Sequence, residues 1–398
     1  MSCKKFRVSW VSYLNLDTDL HKTRELEILK ALADKGHDTA LVATISRHYF
    51  KIKNSRTKII SVPIRSAPLV SHVLYTGFIF LFLPFYVLVS KPDLILMDPS
   101  ISVMGSIPTL FFSRFSRTKF VLDVKSTPVE VKGFSAKLAE FWFDISVVIA
   151  KMMFNGIVSV TPMMKSEVCR KFNIDQQYVD IWTNGVPINL FNPQSSLIES
   201  TELRKELGLT DKFVVFYHGV LSASRGLTET VDAIQIVKQK YPEVTFFLLG
   251  AGPIISVLES LITQKKLENN VIIHHPVPYN EVPKFIGLSD VCIVPLPNVS
   301  YWKFQSPLKL LEYLAMEKVV LATDIPAHRT VAGDKKCCIY LESTDPSEIA
   351  KSIEYSYINK AKLDEWGKTG RKIVKDQYTW KKVAEEVEHY FCRMTFFD

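Results

Sequence analysis

The chain has 398 residues, too many for one ordinary hydrophobic core, so two domains of roughly 200 residues each are expected. Apolar residues make up 47% of it, which excludes a disordered or low-complexity chain. A formal net charge of +8 and a pI near 9.0 favour acidic partners such as phosphates or anionic lipid head groups, while the absence of a dense Lys/Arg tract with interleaved aromatics argues against nucleic acid.

The segment from Met1 to Trp10 lacks a signal peptide's apolar region and cleavage site. Six cysteines (Cys3, Cys169, Cys292, Cys337, Cys338, Cys392) show no Cys-x-x-Cys spacing, and most lie in apolar surroundings. They read as reduced thiols of a cytoplasmic protein.

Phe6 to Ser12 is a short apolar strand, followed by a polar loop, Tyr13 to Asp19. A helix over His21 to Lys35 carries Leu26, Leu29, Leu32 and Ala33 at helical spacing and stops at Gly36. Strands follow at Thr39 to Thr44 and Ile59 to Pro63. This strand–helix–strand rhythm predicts a parallel sheet covered on both faces.

Val73 to Val89 is an unbroken apolar run, roughly 25 Å long as a helix and at the bottom of the spanning range. Gly77 and Pro84 interrupt it, and the strand to Met97 follows at once. Three readings are open: a transmembrane span, a buried helix, and a partly exposed helix that touches a membrane. Aromatic and basic residues at Phe111 to Phe115 and Phe141 to Phe154 favour peripheral membrane contact. Lys119 to Val124 is a further strand, ending in the loop Lys125 to Glu130. A long helix to Phe154, a strand Gly156 to Val160, a helix Pro162 to Phe172 and a strand Tyr178 to Trp182 complete the first half. Phe191 to Ser200 reads as a linker.

The second half restarts with a strand, Phe213 to Tyr217. Further strands are expected at Val244 to Leu249, Val271 to His274, Val291 to Pro295 and Val319 to Ala322, with helices between them and a helical tail over Pro346 to Phe396. Within this half lies Ser306-Pro-Leu-Lys-Leu-Leu-Glu312. Ser306 is a good helix cap, and Pro307 at the first helical position loses nothing by lacking an N–H. The backbone N–H groups at the helix start and Lys309 suit an anion. Glu312 lies one turn on from Leu308, placed to accept hydrogen bonds from sugar hydroxyls. Taken alone, the same stretch also reads as an amphipathic helix with a solvated Glu.

Five landmarks occur in order: Asn184-Gly-Val with Phe191 and Pro193; Tyr217-His-Gly219 through Arg225-Gly226; Leu249-Gly-Ala-Gly-Pro253; Ser289-Asp290 before Cys292 to Pro295; and Ser306 to Glu312. With them the chain resembles family 4 of the retaining glycosyltransferases (glycosyl transferases group 1). That resemblance implies a GT-B fold, two facing Rossmann-like domains of α/β class with doubly wound parallel sheets. It places an acceptor-binding domain at 1–192, a nucleotide-sugar-binding domain at 193–378, and a helix at 379–398 that packs back on the first domain.

The resemblance further implies a metal-independent, retaining hexosyl transfer from a nucleotide-sugar substrate, UDP-linked more readily than GDP-linked, with no cofactor. The acceptor would be a glycan or a polyprenyl-lipid-linked sugar at the inner face of the cell membrane. Arg225, Lys309 and Glu312 would act at the transferred bond. Gly219, Val277, Ser306, Pro307, Leu308, Lys309 and Glu312 would hold the donor, and Asp123, Lys125, Ser126 and Thr127 the acceptor. Leaving as a diphosphate, the donor's nucleotide needs its charge met, which explains the cations and the helix start.

The chain departs from the family pattern at four places. Val220 stands where an Arg is common, Phe304 where the first of two glutamates stands, and Pro187 where the linker turn has Asp. The usual Gly-Gly after the first strand is absent. With Phe304, sugar contacts would fall to Gln305, Trp302 or backbone. A non-catalytic scaffold and a sugar-nucleotide epimerase of the same fold are alternatives. So is a dinucleotide-dependent oxidoreductase on Gly250-Ala-Gly252, although Ile255 replaces the third glycine that fingerprint needs.

Overall fold

The computed structural model describes residues 5–14, 24–44, 56–64, 70–113, 117–128 and 133–396. The chain divides into two compact units, residues 1–184 with 380–398, and residues 185–379.

The first unit opens with β1 (Arg7–Val11), α1 (Arg24–Asp34), β2 (Asp38–Thr44) and β3 (Lys58–Val62). It continues with α2 (Val70–Ser90), β4 (Leu94–Met97), α3 (Ser102–Gly105), α4 (Ile107–Ser113) and β5 (Lys119–Val124). Then come α5 (Phe134–Met153), β6 (Gly156–Ser159), α6 (Pro162–Phe172) and β7 (Val179–Ile181). The seven strands form one parallel sheet in the order β3-β2-β1-β4-β5-β6-β7.

The second unit has α7 (Pro193–Glu206), β8 (Phe213–His218), α8 (Leu227–Val237), β9 (Val244–Leu249), α9 (Ile255–Gln264) and β10 (Val271–His274). Next are α10 (Val282–Gly287), β11 (Val291–Val294), α11 (Ser300–Lys303), α12 (Leu308–Ala315) and β12 (Val319–Thr323). It ends with α13 (Pro326–Ala332), β13 (Cys338–Leu341), α14 (Pro346–Ile358) and α15 (Leu363–Gln377). Its parallel sheet runs β10-β9-β8-β11-β12-β13. The last helix, α16 (Trp380–Phe396), belongs to the first unit, where Trp380, Val383, Ala384, Val387 and Phe391 join the core beneath β1 and α1.

Both sheets wind outward in two directions from a central pair, β1/β4 and β8/β11. At such a reversal the flanking helices diverge and leave a crevice at the strands' C-terminal ends. The β8 segment FVVFYH is buried at every position, the pattern of a strand covered on both faces.

Two expectations change, the linker and the cysteines, and the open reading of the apolar run narrows to a partly exposed helix. The stretch read as a linker is helix α7, started by Pro193 and capped by the Asn192 side chain on Gln194 N–H. The run in α2 is a 21-residue helix that buries one stripe (Tyr75, Ile79, Leu83, Val87) and turns Leu81, Phe85 and Leu88 outward. Among the described cysteines, Cys169, Cys292, Cys337 and Cys338 are free, but Cys392 is disulfide-bonded. Cys3, Asp17 and Asp19 of the first loop, the start of its helix at His21, and Glu130 lie outside the described residues.

Candidate active site

The second unit brings the loop after β8 against the start of α12. Gly219 has φ of 124°, a conformation open to glycine, and a Cβ there would stand 2.9 Å from Lys309 Nζ. The Lys309 ammonium donates to Tyr217 Oη at 2.9 Å and sits 4.3 Å from the Tyr217 ring centroid. The Tyr217 hydroxyl in turn donates to Val220 O. The cation is thus held over the glycine loop at the C-terminal end of β8.

Helix α12 begins one residue later than its sequence suggests. Pro307, in extended backbone, is the cap residue, and Ser306 precedes it. Leu310 N–H and Leu311 N–H donate to Pro307 O, so the Leu308 and Lys309 amides lead the helix.

Glu312 is buried at 3% exposure. One carboxylate oxygen is 2.9 Å from His218 Nε2, and the other accepts from Tyr279 Oη at 2.7 Å. The Tyr313 hydroxyl accepts from His218 N–H at 2.9 Å and lies 3.0 Å from His218 Nδ1. The imidazole thus bridges the Tyr313 hydroxyl and Glu312, with the Nε2 proton donated to the carboxylate. This chain fixes the carboxylate's orientation. Because Tyr279 follows Val277 by two residues, its bond also ties the loop holding Val277 to α12. His218 stands inside the Tyr217-His-Gly219 landmark but has no role of its own assigned there, and Tyr279 was not singled out in the sequence.

Arg225 closes the glycine loop. Its Nε donates to Ser222 Oγ at 3.1 Å, and its guanidinium lies 5.0 Å from the Trp302 ring. Trp302 is buried and donates its indole N–H to Ser224 O. It clamps the Arg225 loop, so that N–H is already committed. Gln305 differs: its side-chain amide nitrogen is buried with no hydrogen-bond partner.

Gly250 and Gly252 serve packing. A Cβ on Gly250 would lie 1.9 Å from Gly219 O, and one on Gly252 2.1 Å from Leu221 O. These glycines let two loops touch backbone to backbone, which accounts for them without a dinucleotide. Asp290 is likewise structural, accepting from Val214 N–H and Arg204.

In the first unit, Asp123 is fully buried and lies 3.2 Å from Arg24 Nη1. Burial raises its carboxyl to about 6, against the pull of Arg24 and Lys125. Lys125, Ser126 and Thr127 instead line a cavity together with Asp98, and Asp123 is not on its wall. Lys125 pairs with Asp98 at 2.9 Å and with Glu25. Burial opposes its charge, but these carboxylates outweigh it and hold the ammonium well above its ordinary range. Asp98, which also accepts from Trp10 Nε1 and Ser12 Oγ, was not singled out in the sequence. Among the described residues, no group of three or more His, Cys, Asp or Glu is arranged to hold a metal ion.

Comparison with known proteins finds relatives of the second unit and of the fold. Residues 199–373, within the second unit, match the family described as glycosyl transferases group 1. The alpha-D-kanosaminyltransferase of Streptomyces kanamyceticus is 25% identical over 199 residues, 50% of each chain. The D-inositol 3-phosphate glycosyltransferase of an Arthrobacter strain is 21% identical over 233 residues, 57% of this chain and 53% of that protein. The chain thus spans little more than half the length of the curated relatives it matches. Among solved structures, HepE of Anabaena in complex with UDP has a TM-score of 0.75 at 14% identity, covering 96% of this chain and 99% of its own. A glycosyltransferase from Rickettsia africae has a TM-score of 0.77 at 14% identity, covering 99% and 100%. The fold is GT-B.

Proposed function

We propose that the protein moves a sugar from a nucleotide-diphosphate sugar to a glycan or lipid-linked acceptor, with retention and without a metal ion. The observation that carries this reading is the joining of Lys309, Gly219 and the start of α12 beside the hydrogen-bonded Glu312. The bond that breaks joins the anomeric carbon to the terminal phosphate oxygen. Negative charge grows on the diphosphate, and Lys309, Arg225 and the Leu308 and Lys309 amides answer it in a site built before the reaction. Glu312, oriented by His218 and Tyr279, takes the ribose hydroxyls, and Gln305 supplies an amide N–H for the sugar. The acceptor's proton passes to the departing phosphate oxygen, so no catalytic carboxylate pair is needed. UDP is the favoured nucleotide; the UDP complex of HepE, a protein of the same fold, supports it.

The protein acts in the cytoplasm, on the inner face of a membrane touched by the outward side of α2. The apolar exposure of that helix and the basic pI support this placement.

A thermal-shift screen against UDP, GDP, their sugars and NADH, with EDTA present, tests the reading. A ligand that binds only the folded state raises its stability. A shift with UDP in EDTA is expected, and a response to NADH alone would overturn the assignment.

A further inference from the structure

At the C-terminal ends of β4 and β5 the first unit has a cavity of about 820 Å³. Ligand sites span about 300–1,000 Å³. Leu138, Ala139, Trp142 and Phe143 of α5 form one wall, and Val73 of α2 forms part of another. Val73 is also 60% exposed, so the cavity opens onto the outward apolar face of α2.

The charges in the cavity restrict what it can hold. Among the described residues lining it, only Asp98 and Lys125 carry charge, and they pair with each other. Lys125 is answered a second time by Glu25, and Asp98 accepts from Trp10 and Ser12. His72, whose ring lies 3.8 Å from that of Tyr13, is pushed toward its neutral form by burial. Among these described residues a phosphate would therefore find no uncompensated cation, and would lose hydration without a partner. Ser100, Ser126, Thr127 and Ser135 bring hydroxyls to the same cavity, and these suit an uncharged polar head.

On the reading of sugar transfer given above, we infer that this cavity binds the acceptor as a neutral amphiphile. An alkyl or isoprenoid chain lies against α5 and leaves past Val73, and a sugar meets the serine and threonine hydroxyls. The sugar's hydroxyls bond to uncharged donors and acceptors. The chain gains by leaving water, about 0.8 kcal/mol per buried methylene.

The test is calorimetric titration of the full chain with decyl β-glucoside below its micelle concentration, beside decyl phosphate and free glucose. Decyl glucoside binds, and the other two bind at least tenfold more weakly. Ala139→Trp, which fills the cavity, weakens decyl glucoside at least tenfold and leaves UDP binding unchanged. If that variant loses its fold, seen as a lowered melting point and lost UDP binding, Ala139→Leu is read in its place. Leu81→Ser with Phe85→Ser, on the exposed face of α2, leaves the affinity as it was. Absent binding of decyl glucoside, equal binding of decyl phosphate, full affinity in the filled variant, or lost affinity in the α2 variant would each overturn the inference. A wild-type chain that binds decyl glucoside in the cavity but not UDP would instead defeat the sugar-transfer reading and leave the cavity assignment standing.

Discussion

Lys309 and Gly219, ninety positions apart in the chain, occupy neighbouring space so tightly that a methyl group on the glycine would stand 2.9 Å from the ammonium. Gly219→Ala would strain a backbone at φ 124° and push the cation aside. Non-glycine residues in such conformations cost about 1–3 kcal/mol. The expected result is a UDP affinity at least tenfold lower by calorimetry, with a lower melting point.

Glu312 should matter to stability as well as to turnover. Glu312→Ala leaves His218 Nε2–H and the Tyr279 hydroxyl without their acceptor in a buried place. Each orphaned donor costs about 1–3 kcal/mol. Urea denaturation should show a loss of about 2–6 kcal/mol for the two donors together, with transfer abolished. Glu312→Gln keeps an acceptor oxygen and should recover most of the stability.

Arg225→Lys separates charge from shape. The ammonium keeps the charge but loses the planar contact with Trp302 and the forked donors suited to phosphate. Steady-state kinetics should show the donor KM raised about tenfold or more. The unfolding midpoint should move little, because the side chain is only partly buried on a loop.

His328 gives the fold a pH dependence. Its Nδ1–H donates to Thr323 O at 2.7 Å, and burial lowers its pKa to about 4. The unfolded chain binds a proton near pH 6.5, whereas the folded chain binds it only near 4. Between those values the unfolded state holds more protons, so stability rises with pH across the window and is lost as pH falls. The difference is on the order of 3 kcal/mol. Urea titrations at pH 4.5, 5.5 and 7 should show His328→Gln with a flatter profile than the wild type.

The outward face of α2 predicts surface behaviour. Leu81 and Phe85 are 77% and 65% exposed. Replacing both with Ser should leave the melting point unchanged and cut co-sedimentation with anionic liposomes at least fivefold. Equal co-sedimentation would remove α2 from the membrane proposal.

Where one short stretch carried its own signal, the sequence was readable. The unbroken apolar runs of β8 and β9 mark buried parallel strands, and the helix carrying Lys309 and Glu312 shows its core face through Leu310, Leu311 and Leu314. Other features were hidden for physical reasons. Strand β13 is four residues long and starts within Lys335-Lys-Cys-Cys338, so no run announces it. Helix α7 begins with Pro-Gln-Ser-Ser, which resembles a linker until the Asn192 cap is seen in place. His218 and Tyr279 meet Glu312 across 94 and 33 positions, and only the folded sheet brings them together. The same holds for Arg24 and Glu25 at the start of α1 and Asp98 after β4, which meet Asp123 and Lys125 at the end of β5.

The return of α16 to the first unit reverses the usual timetable of synthesis. Domains made early ordinarily fold early, as they leave the ribosome. Here Phe6, Trp10 and Trp182 share their core with Val383, Val387 and Phe391, and Lys35 and His37 share Glu388. The first unit is translated first yet waits for residues 380–391, while every strand of the second is already in hand. A premature stop after residue 379 would therefore release a chain whose second unit is whole and whose first unit has an open apolar floor. Such a chain offers a chaperone or a protease its target at the beginning of the sequence, far from the lesion.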